Sequence, residues 1–222
     1  TGHLVFSTVH TNSAPATITR LIDMGVEPFL VSSTIIGVLA QRLVRQICSS
    51  CKEPYEPHPE QLRELGLGTS QVNAIFYQGR GCPACRETGY RGRLGLHELL
   101  IMGDSIKDVI LKSSDANEIK RAALRHGLIT LRMDGVQKIR AGLTTVEEVL
   151  DEIELGSTPN ENPFGGEFDQ MLTYEFAALQ KDRFLHGEEG GEQVGKGDIT
   201  VESKEESNMS GGTLNLMCYS RA

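Results

Sequence analysis

The sequence predicts an α/β chain with an inserted four-cysteine subdomain and a helical array toward its C-terminal side. A short apolar strand candidate, Leu4 to Val9, opens the chain. Two C-x-x-C pairs lie within residues 48–98, and apolar residues at helical spacing recur through residues 104–153. A chain of 222 residues fits one domain with small attachments.

Residues 1–47 are predicted to form a compact α/β unit. The strand candidate ends in the polar run His10-Thr11-Asn12-Ser13, which offers helix N-caps. Pro15 suits the first turn of the helix that follows, and Gly25 fits its end. A second helix is predicted from Glu27-Pro28 to about Gln46. Because apolar residues cover most of its circumference, we expect this helix to be largely buried.

Four cysteines in two matched pairs form the most specific motif of the chain. They are Cys48, Cys51, Cys82 and Cys85, and 30 residues separate the two C-x-x-C pairs. Each pair can present two sulfurs to one ion, so the two pairs predict a closed tetrahedral site for structural Zn²⁺. A closed site has no position for water, so this metal should do no chemistry. Disulfides or an isolated redox C-x-x-C are the alternatives.

Turn and cap signals place the remaining elements. Residues 48–98 form the predicted zinc subdomain and return to the core through a glycine-rich strand candidate, Gly89 to Gly95. Residues 99–155 are predicted to be a helical array. In this array Asp104 is a candidate cap, and Thr145-Val-Glu-Glu148 is a capping box that opens the last helix.

Residues 156–222 differ in composition from the rest of the chain. They carry 12 acidic and 5 basic residues, and 10 of the 24 glycines. Because such a segment buries little apolar surface, we predict that this tail is disordered. Within it, Gly190-Gly-Glu-Gln-Val-Gly-Lys-Gly197 matches most of a phosphate-binding P-loop. Glycine stands where Mg²⁺ binding needs Ser or Thr, and no apolar strand precedes it, so we reject a nucleotide site here.

Composition also argues against two classes of function. Residues 1–155 carry 18 acidic and 17 basic residues with no basic stripe, which argues against nucleic acid as a partner. No apolar run approaches the roughly 18 residues that cross a bilayer. Thiols in paired knuckles, with no export signal in the printed sequence, favour a reducing, cytoplasmic setting.

Two histidines flank the first strand candidate and are the other candidates for chemistry. His3 precedes the strand, whereas His10 follows it and is itself followed by Thr11 and a helix start. A histidine in this position can donate a hydrogen bond to a γ-phosphate, as can the Thr11 hydroxyl. On spacing alone, a structural histidine fits the pattern at least as well.

Taken together, these segments resemble the ATPases that drive type II protein secretion and type IV pilus assembly. Residues 1–12 are similar to the His box of that family, and the resemblance continues through 20–29, 37–44 and both cysteine pairs. It runs on through 89–98 to about residue 153. The resemblance implies the C-terminal part of a RecA-like P-loop ATPase domain, starting at the His box, with an inserted zinc-binding cysteine module and a helical C-terminal region.

The resemblance also implies an activity for the whole protein. That protein would hydrolyse ATP with Mg²⁺ as a homo-hexamer. It would lie in the cytoplasm, peripheral to the bacterial inner membrane, and act on secretion platform proteins there. Its function would be to power type II secretion through pseudopilus assembly, with type IV pilus assembly as the alternative within the class.

The resemblance assigns roles to single residues as well. His10 would be the catalytic residue that contacts or senses the γ-phosphate, and His3 and Thr11 would support it in nucleotide binding. The Walker A and Walker B motifs of the family precede its His box and do not occur in the printed sequence. The chain alone is therefore expected to be inactive. A non-catalytic, zinc-stabilised interaction module is the alternative of another class.

Overall fold

The computed structural model describes residues 4–67 and 75–154, together with the backbone of residues 214–220. These residues contain two β-sheets and seven α-helices. Among them no helix is both long enough and apolar enough to cross a membrane. His3 and the P-loop-like segment at 190–197 lie outside the described residues.

The beginning of the chain folds as the sequence predicts. Strand β1, Leu4–Val9, leads into helix α1, Ala14–Asp23. Ser13 is the N-cap, and its hydroxyl accepts a hydrogen bond from the Ala16 N–H at 3.3 Å. Gly25 follows the helix with a φ of +90°, a left-handed conformation that favours glycine.

The predicted helix from residue 27 to about residue 46 is wrong for most of its length. Helix α2 is short, Pro28–Thr34, and strand β2, Ile35–Ile47, replaces the remainder. Along β2 the buried positions alternate with more exposed ones through Val38, Ala40, Arg42 and Val44, which is the period of a strand. The prediction failed because the apolar residues of this stretch are dense enough to satisfy both periods.

Strand β2 lies at the centre of a four-stranded antiparallel sheet. It pairs along one edge with strand β5, Tyr90–Ile101, in a register that sets Ala40 opposite Glu98. Strand β6, Leu214–Ser220, pairs along the other edge and also pairs with β1, which gives the order β1-β6-β2-β5.

The position of β6 corrects part of the prediction for the tail. Disorder was expected for residues 156–222, but the backbone of residues 214–220 is a strand within the sheet. This stretch reads Leu-Asn-Leu-Met-Cys-Tyr-Ser and has no charged residue, unlike the acidic clusters before it. Alternating apolar residues free of charge are suited to a strand between two others.

The cysteine subdomain has a small sheet of its own. Strand β3, Lys52–Tyr55, pairs antiparallel with strand β4, Phe76–Gly79. Helix α3, Pro59–Glu64, lies between them in sequence. Strand β4 ends shortly before the second cysteine pair.

Helices occupy residues 104–154 of the region predicted as a helical array, 99–155, whereas residues 99–101 belong to β5. The four helices are α4, Asp104–Lys112; α5, Ala116–Arg125; α6, Leu131–Arg140; and α7, Val146–Glu154. Gly103, and not Asp104, is the N-cap of α4. The apolar faces of the helices form a core that includes Ile106, Ile110, Ile119, Val136, Ile139, Val146 and Val149.

Candidate functional site

The four predicted metal ligands come together in space. Their sulfur atoms all lie within 4.8 Å of one another. Measured sulfur–sulfur distances are 3.9 Å for Cys48 and Cys82, 3.8 Å for Cys51 and Cys85, and 3.7 Å for Cys82 and Cys85. Zn–S bonds of about 2.3 Å in a regular tetrahedron require sulfurs about 3.8 Å apart. The arrangement therefore fits one tetrahedral metal ion, and all four cysteines are free thiols.

Two tight turns present the sulfurs. The first pair lies on the turn after β2, where the Cys48 N–H donates to the Gly89 carbonyl at 2.9 Å. In the second pair, Cys82 is the N-cap of a single 3₁₀ turn, Pro83–Cys85, and Cys85 ends that turn. Glu87 follows with a left-handed φ of 63°, and its N–H donates to the Cys82 carbonyl at 3.0 Å. That bond helps to hold a conformation that non-glycine residues rarely adopt.

Two glycines allow the backbones below the cysteine cluster to meet. A Cβ added at Gly79 would lie 2.0 Å from the Gly89 carbonyl oxygen. A Cβ added at Gly89 would lie 2.4 Å from the Gly79 carbonyl oxygen, and Gly89 has a φ of +77°. Any side chain at either position would force the end of β4 away from the start of β5.

Burial and hydrogen bonding act on the thiols in different ways. Burial raises the pKa of the Cys51 thiol to about 12, since a thiolate is poorly solvated among three other sulfurs. Burial also acts against ionisation of Cys85, but the N–H groups of Cys82 and Gly89 donate to its sulfur at 3.2 and 3.3 Å. These bonds outweigh burial and lower the pKa of Cys85 to about 6. A cation would favour the thiolate form throughout the cluster.

A polar network ties the end of β2 and the start of β5 to α7 and the turn before it. The Nε and backbone N–H groups of Arg45 donate to the Glu148 carboxylate at 2.8 and 2.9 Å. The Arg45 guanidinium lies 4.2 Å from the centre of the Tyr90 ring, and the Tyr90 hydroxyl is hydrogen-bonded to Thr145 at 3.0 Å. The predicted capping box is thus half formed, because Thr145 caps the Glu148 N–H while the Glu148 carboxylate binds Arg45.

The residues predicted to meet a phosphate lie in the polar loop, residues 10–13, between β1 and α1. The His10 side chain is exposed at the start of this loop. The Thr11 hydroxyl lies 2.6 Å from that of Thr17 and 3.2 Å from the Ser13 carbonyl oxygen. The structure therefore places Thr11 in the turn that enters α1 and His10 on the surface beside it.

Two buried charged residues below the polar loop were missed by sequence reasoning. Arg42 is 5% exposed, and its Nη2 donates to the Asn12 side-chain oxygen at 3.3 Å. Glu98 is 3% exposed. Its carboxylate accepts hydrogen bonds from the N–H groups of Ala14 at 2.8 Å and Leu131 at 3.3 Å. One side chain thereby caps the N-termini of both α1 and α6.

Burial shifts both of these charged groups toward neutrality. It lowers the pKa of Arg42, with Glu152 opposing the shift, and raises the pKa of Glu98, with its two N–H donors and Lys120 opposing. The signal that could have found them is a charge in an apolar run. A strand period for residues 35–47 sets Arg42 on the buried face, with Val38 and Val44.

The chain combines a β-sheet with helices, a cluster of four cysteines and a polar loop before the first helix. These features define an α/β protein able to hold a structural metal ion. The family model for type II/IV secretion system proteins matches residues 1–151. The chain belongs to this family, and the resemblance found in the sequence is confirmed.

Named relatives cover the same part of the chain. It is 52% identical over 151 residues to a type IV pilus assembly ATPase PilB of Thermus thermophilus, covering 68% of this chain and 17% of the relative. It is 49% identical over 150 residues to a type II secretion system ATPase E of Vibrio cholerae, covering 68% and 29%. A type II secretion system protein E of Pseudomonas aeruginosa matches at 49%, covering 68% and 30%. The chain thus spans less than a third of the length of these relatives.

Proposed function

We propose that this chain is part of the cytoplasmic ATPase that powers type II protein secretion by ATP hydrolysis. The observation that carries this proposal is 49% identity, over 150 residues, to a protein named type II secretion system ATPase E. The matched region contains the polar loop and all four cysteines. In this proposal the whole protein works as a homo-hexamer, peripheral to the inner membrane, and moves platform proteins that assemble the pseudopilus.

Type IV pilus assembly is the second candidate function. It is favoured by 52% identity to a relative named type IV pilus assembly ATPase PilB. The two candidates share one chemistry, hydrolysis of ATP with Mg²⁺, and differ in the machinery that the hydrolysis drives.

Within the proposed ATPase, residues 1–47 belong to a RecA-like core, and the polar loop faces the nucleotide. His10 donates a hydrogen bond to the γ-phosphate, while His3 and Thr11 support nucleotide binding. The exposed His10 side chain directly after β1 supports this role, because an imidazole held at a strand end can reach a ligand at that edge. P-loop and Mg²⁺-binding groups, which supply most of the catalysis in phosphoryl transfer, would come from the part of the protein outside this match.

Structural zinc is the proposed occupant of the cysteine centre, with Cys48, Cys51, Cys82 and Cys85 as its ligands. Support comes from sulfur–sulfur distances that fit a regular tetrahedron and from the burial of three of the four residues. The metal would hold residues 48–98 together. Close to this site in sequence, the hydrogen bond between Arg45 and Glu148 holds the helical region, residues 99–155, against the core.

A chimera tests the proposed activity. In the secretion chimera, residues 1–151 replace the matching segment of the V. cholerae type II secretion system ATPase E. We expect Mg²⁺-dependent ATP hydrolysis and restored secretion in a strain that lacks the native ATPase. The same exchange into the T. thermophilus PilB, scored by piliation, tests the second candidate. Folded, zinc-loaded chimeras without hydrolysis would favour the non-catalytic interaction module instead.

A further inference from the structure

Two buried side chains of opposite charge share one face of the sheet below the polar loop. Arg42 lies on β2 and Glu98 on β5, and the register sets Glu98 opposite Ala40, two residues before Arg42. Since side chains two residues apart on a strand point the same way, Arg42 and Glu98 are diagonal neighbours on that face. Both reach away from the sheet toward the same loop.

Their contacts hold the loop at two nearly adjacent points. Arg42 donates to the side chain of Asn12 at 3.3 Å, and Glu98 accepts from the backbone of Ala14 at 2.8 Å. Asn12 is two residues after His10 and Ala14 is the first residue of α1. The Arg42 cation and the Glu98 carboxylate, both on the sheet, therefore fix the path of the chain after His10.

Stability alone does not account for a charge at position 42. The Arg42 Nε is buried and has no hydrogen-bond partner among the described residues. A buried donor left without a partner costs free energy, and an apolar side chain of similar length would avoid that cost. The guanidinium is better explained by the group it orients, which is Asn12 of the polar loop.

Glu98 also joins the loop to a distant helix. Its second oxygen accepts the N–H of Leu131, the first residue of α6, at 3.3 Å. One carboxylate is thus shared by the helix after the polar loop and by a helix of the C-terminal array. If the start of one helix shifts and the Glu98 carboxylate follows it, the hydrogen bond from the start of the other helix lengthens.

We propose that Arg42 and Glu98 are positioning residues that fix the polar loop, and with it His10, and that Glu98 couples this loop to α6. The functional meaning rests on the proposed ATPase, in which His10 meets the γ-phosphate. The geometry itself is testable in the chain without nucleotide. A failure of the ATPase proposal and a failure of the positioning proposal are therefore separable.

The test is amide and imidazole NMR on the zinc-loaded polypeptide of residues 1–222. Glu98→Gln keeps the shape of the side chain but leaves one acceptor oxygen for two N–H groups. We expect hydrogen exchange at Ala14, Leu131 or both to rise at least tenfold, together with shifted or broadened His10 resonances. Glu148→Gln is the matched control. It alters another buried glutamate that binds a backbone N–H, that of Arg45, so it should leave His10 and Ala14 unchanged.

A second pair of variants tests the hydrogen bond between Arg42 and Asn12. Arg42→Met removes the donor and should broaden the resonances of His10 and Asn12. Arg42→Lys keeps one donor and should restore them toward those of the original chain. This conservative rescue separates orientation from mere packing, and it stays informative if Glu98→Gln fails to fold.

Two results would overturn the proposal. One is that the Glu98→Gln and Glu148→Gln variants change the His10 resonances equally. The other is that Arg42→Met and Arg42→Lys leave the polar loop as it is in the original chain. An inactive secretion chimera with the expected NMR changes would reject the ATPase assignment and leave the positioning roles in place.

Discussion

Glu98 accepts the N–H of Ala14 at 2.8 Å across 84 residues of sequence, and both groups are buried. The contact ties β5 to the start of α1, and the same carboxylate ties it to α6 through Leu131. Because this buried carboxylate accepts hydrogen bonds from two helix N-termini, its ionisation affects the free energy of unfolding.

The first prediction concerns pH. Burial raises the pKa of Glu98 above its ordinary value of 4.5. Between those two pKa values the folded chain holds a proton that the unfolded chain has lost, so this group's contribution to the free energy of unfolding falls as pH rises. Urea unfolding of the original chain and of Glu98→Gln, at matched pH between 5 and 8, measures this contribution to the free energy of unfolding.

Glu98→Gln cannot titrate, so the stability difference between the two chains isolates this group. The free energy of unfolding of the original chain, relative to that of the variant, should fall as pH rises from 5. This difference should level off above the raised pKa of Glu98. A difference that grows with pH would contradict the assigned direction.

The second prediction concerns the metal. The polypeptide of residues 1–222 should bind one Zn²⁺ per chain, and Cys85→Ser should lower the zinc content and the melting temperature. Elemental analysis and thermal unfolding measure both. Cys218→Ser is the control, because Cys218 belongs to neither C-x-x-C pair. Metal-replete protein without zinc, or equal loss in the control, would contradict the assignment.

A third prediction is that this polypeptide alone hydrolyses ATP no faster than a buffer blank. Catalysis of phosphoryl transfer depends on a P-loop lysine and bound Mg²⁺, and the nearest match ends in Gly195-Lys196-Gly197 without the hydroxyl. Phosphate release is the measurement. Mg²⁺-dependent release that survives Lys196→Ala would show that the chain carries a site of another kind.

The fourth prediction tests His10 in the secretion chimera. A hydrogen bond that strengthens as charge develops on the γ-phosphate affects turnover more than binding. His10→Ala should therefore lower kcat about ten- to a hundredfold, with nucleotide affinity and zinc content little changed.

Steady-state kinetics and thermal unfolding on the same preparation decide between two roles for His10. Normal turnover combined with a lower melting temperature would make it a structural histidine. His58→Ala is a suitable control, because His58 is an exposed histidine in the cysteine subdomain.

The fifth prediction concerns β6. Proline at position 216 removes a backbone N–H in a strand that lies between β1 and β2, where it cannot donate to the ladder of hydrogen bonds. Leu216→Pro should speed hydrogen exchange in β1 and leave β3 and β4 unchanged. Glu189→Pro is the control, at a position where the sequence predicts disorder. Unchanged exchange in β1 would extend the disorder prediction to the end of the chain.

Much of the local structure could be predicted from the sequence. The C-x-x-C spacing predicted which four side chains converge, because each pair is set by a turn of a few residues. Ser13 as a cap, Gly25 as a stop and the helical array depend on contacts within one or two turns. Such short-range hydrogen bonds depend only on residues that are close in sequence, so a local sequence pattern predicts them.

Other features were decided only by the tertiary structure. Residues 35–47 suit a helix or a strand by composition, and pairing with β5 settles the choice. Arg42 and Glu98 are separate charges in the sequence, and the strand register alone brings them beneath one loop. Pairing between distant segments depends on burial and register across the whole sheet, and no window of neighbouring residues contains that information.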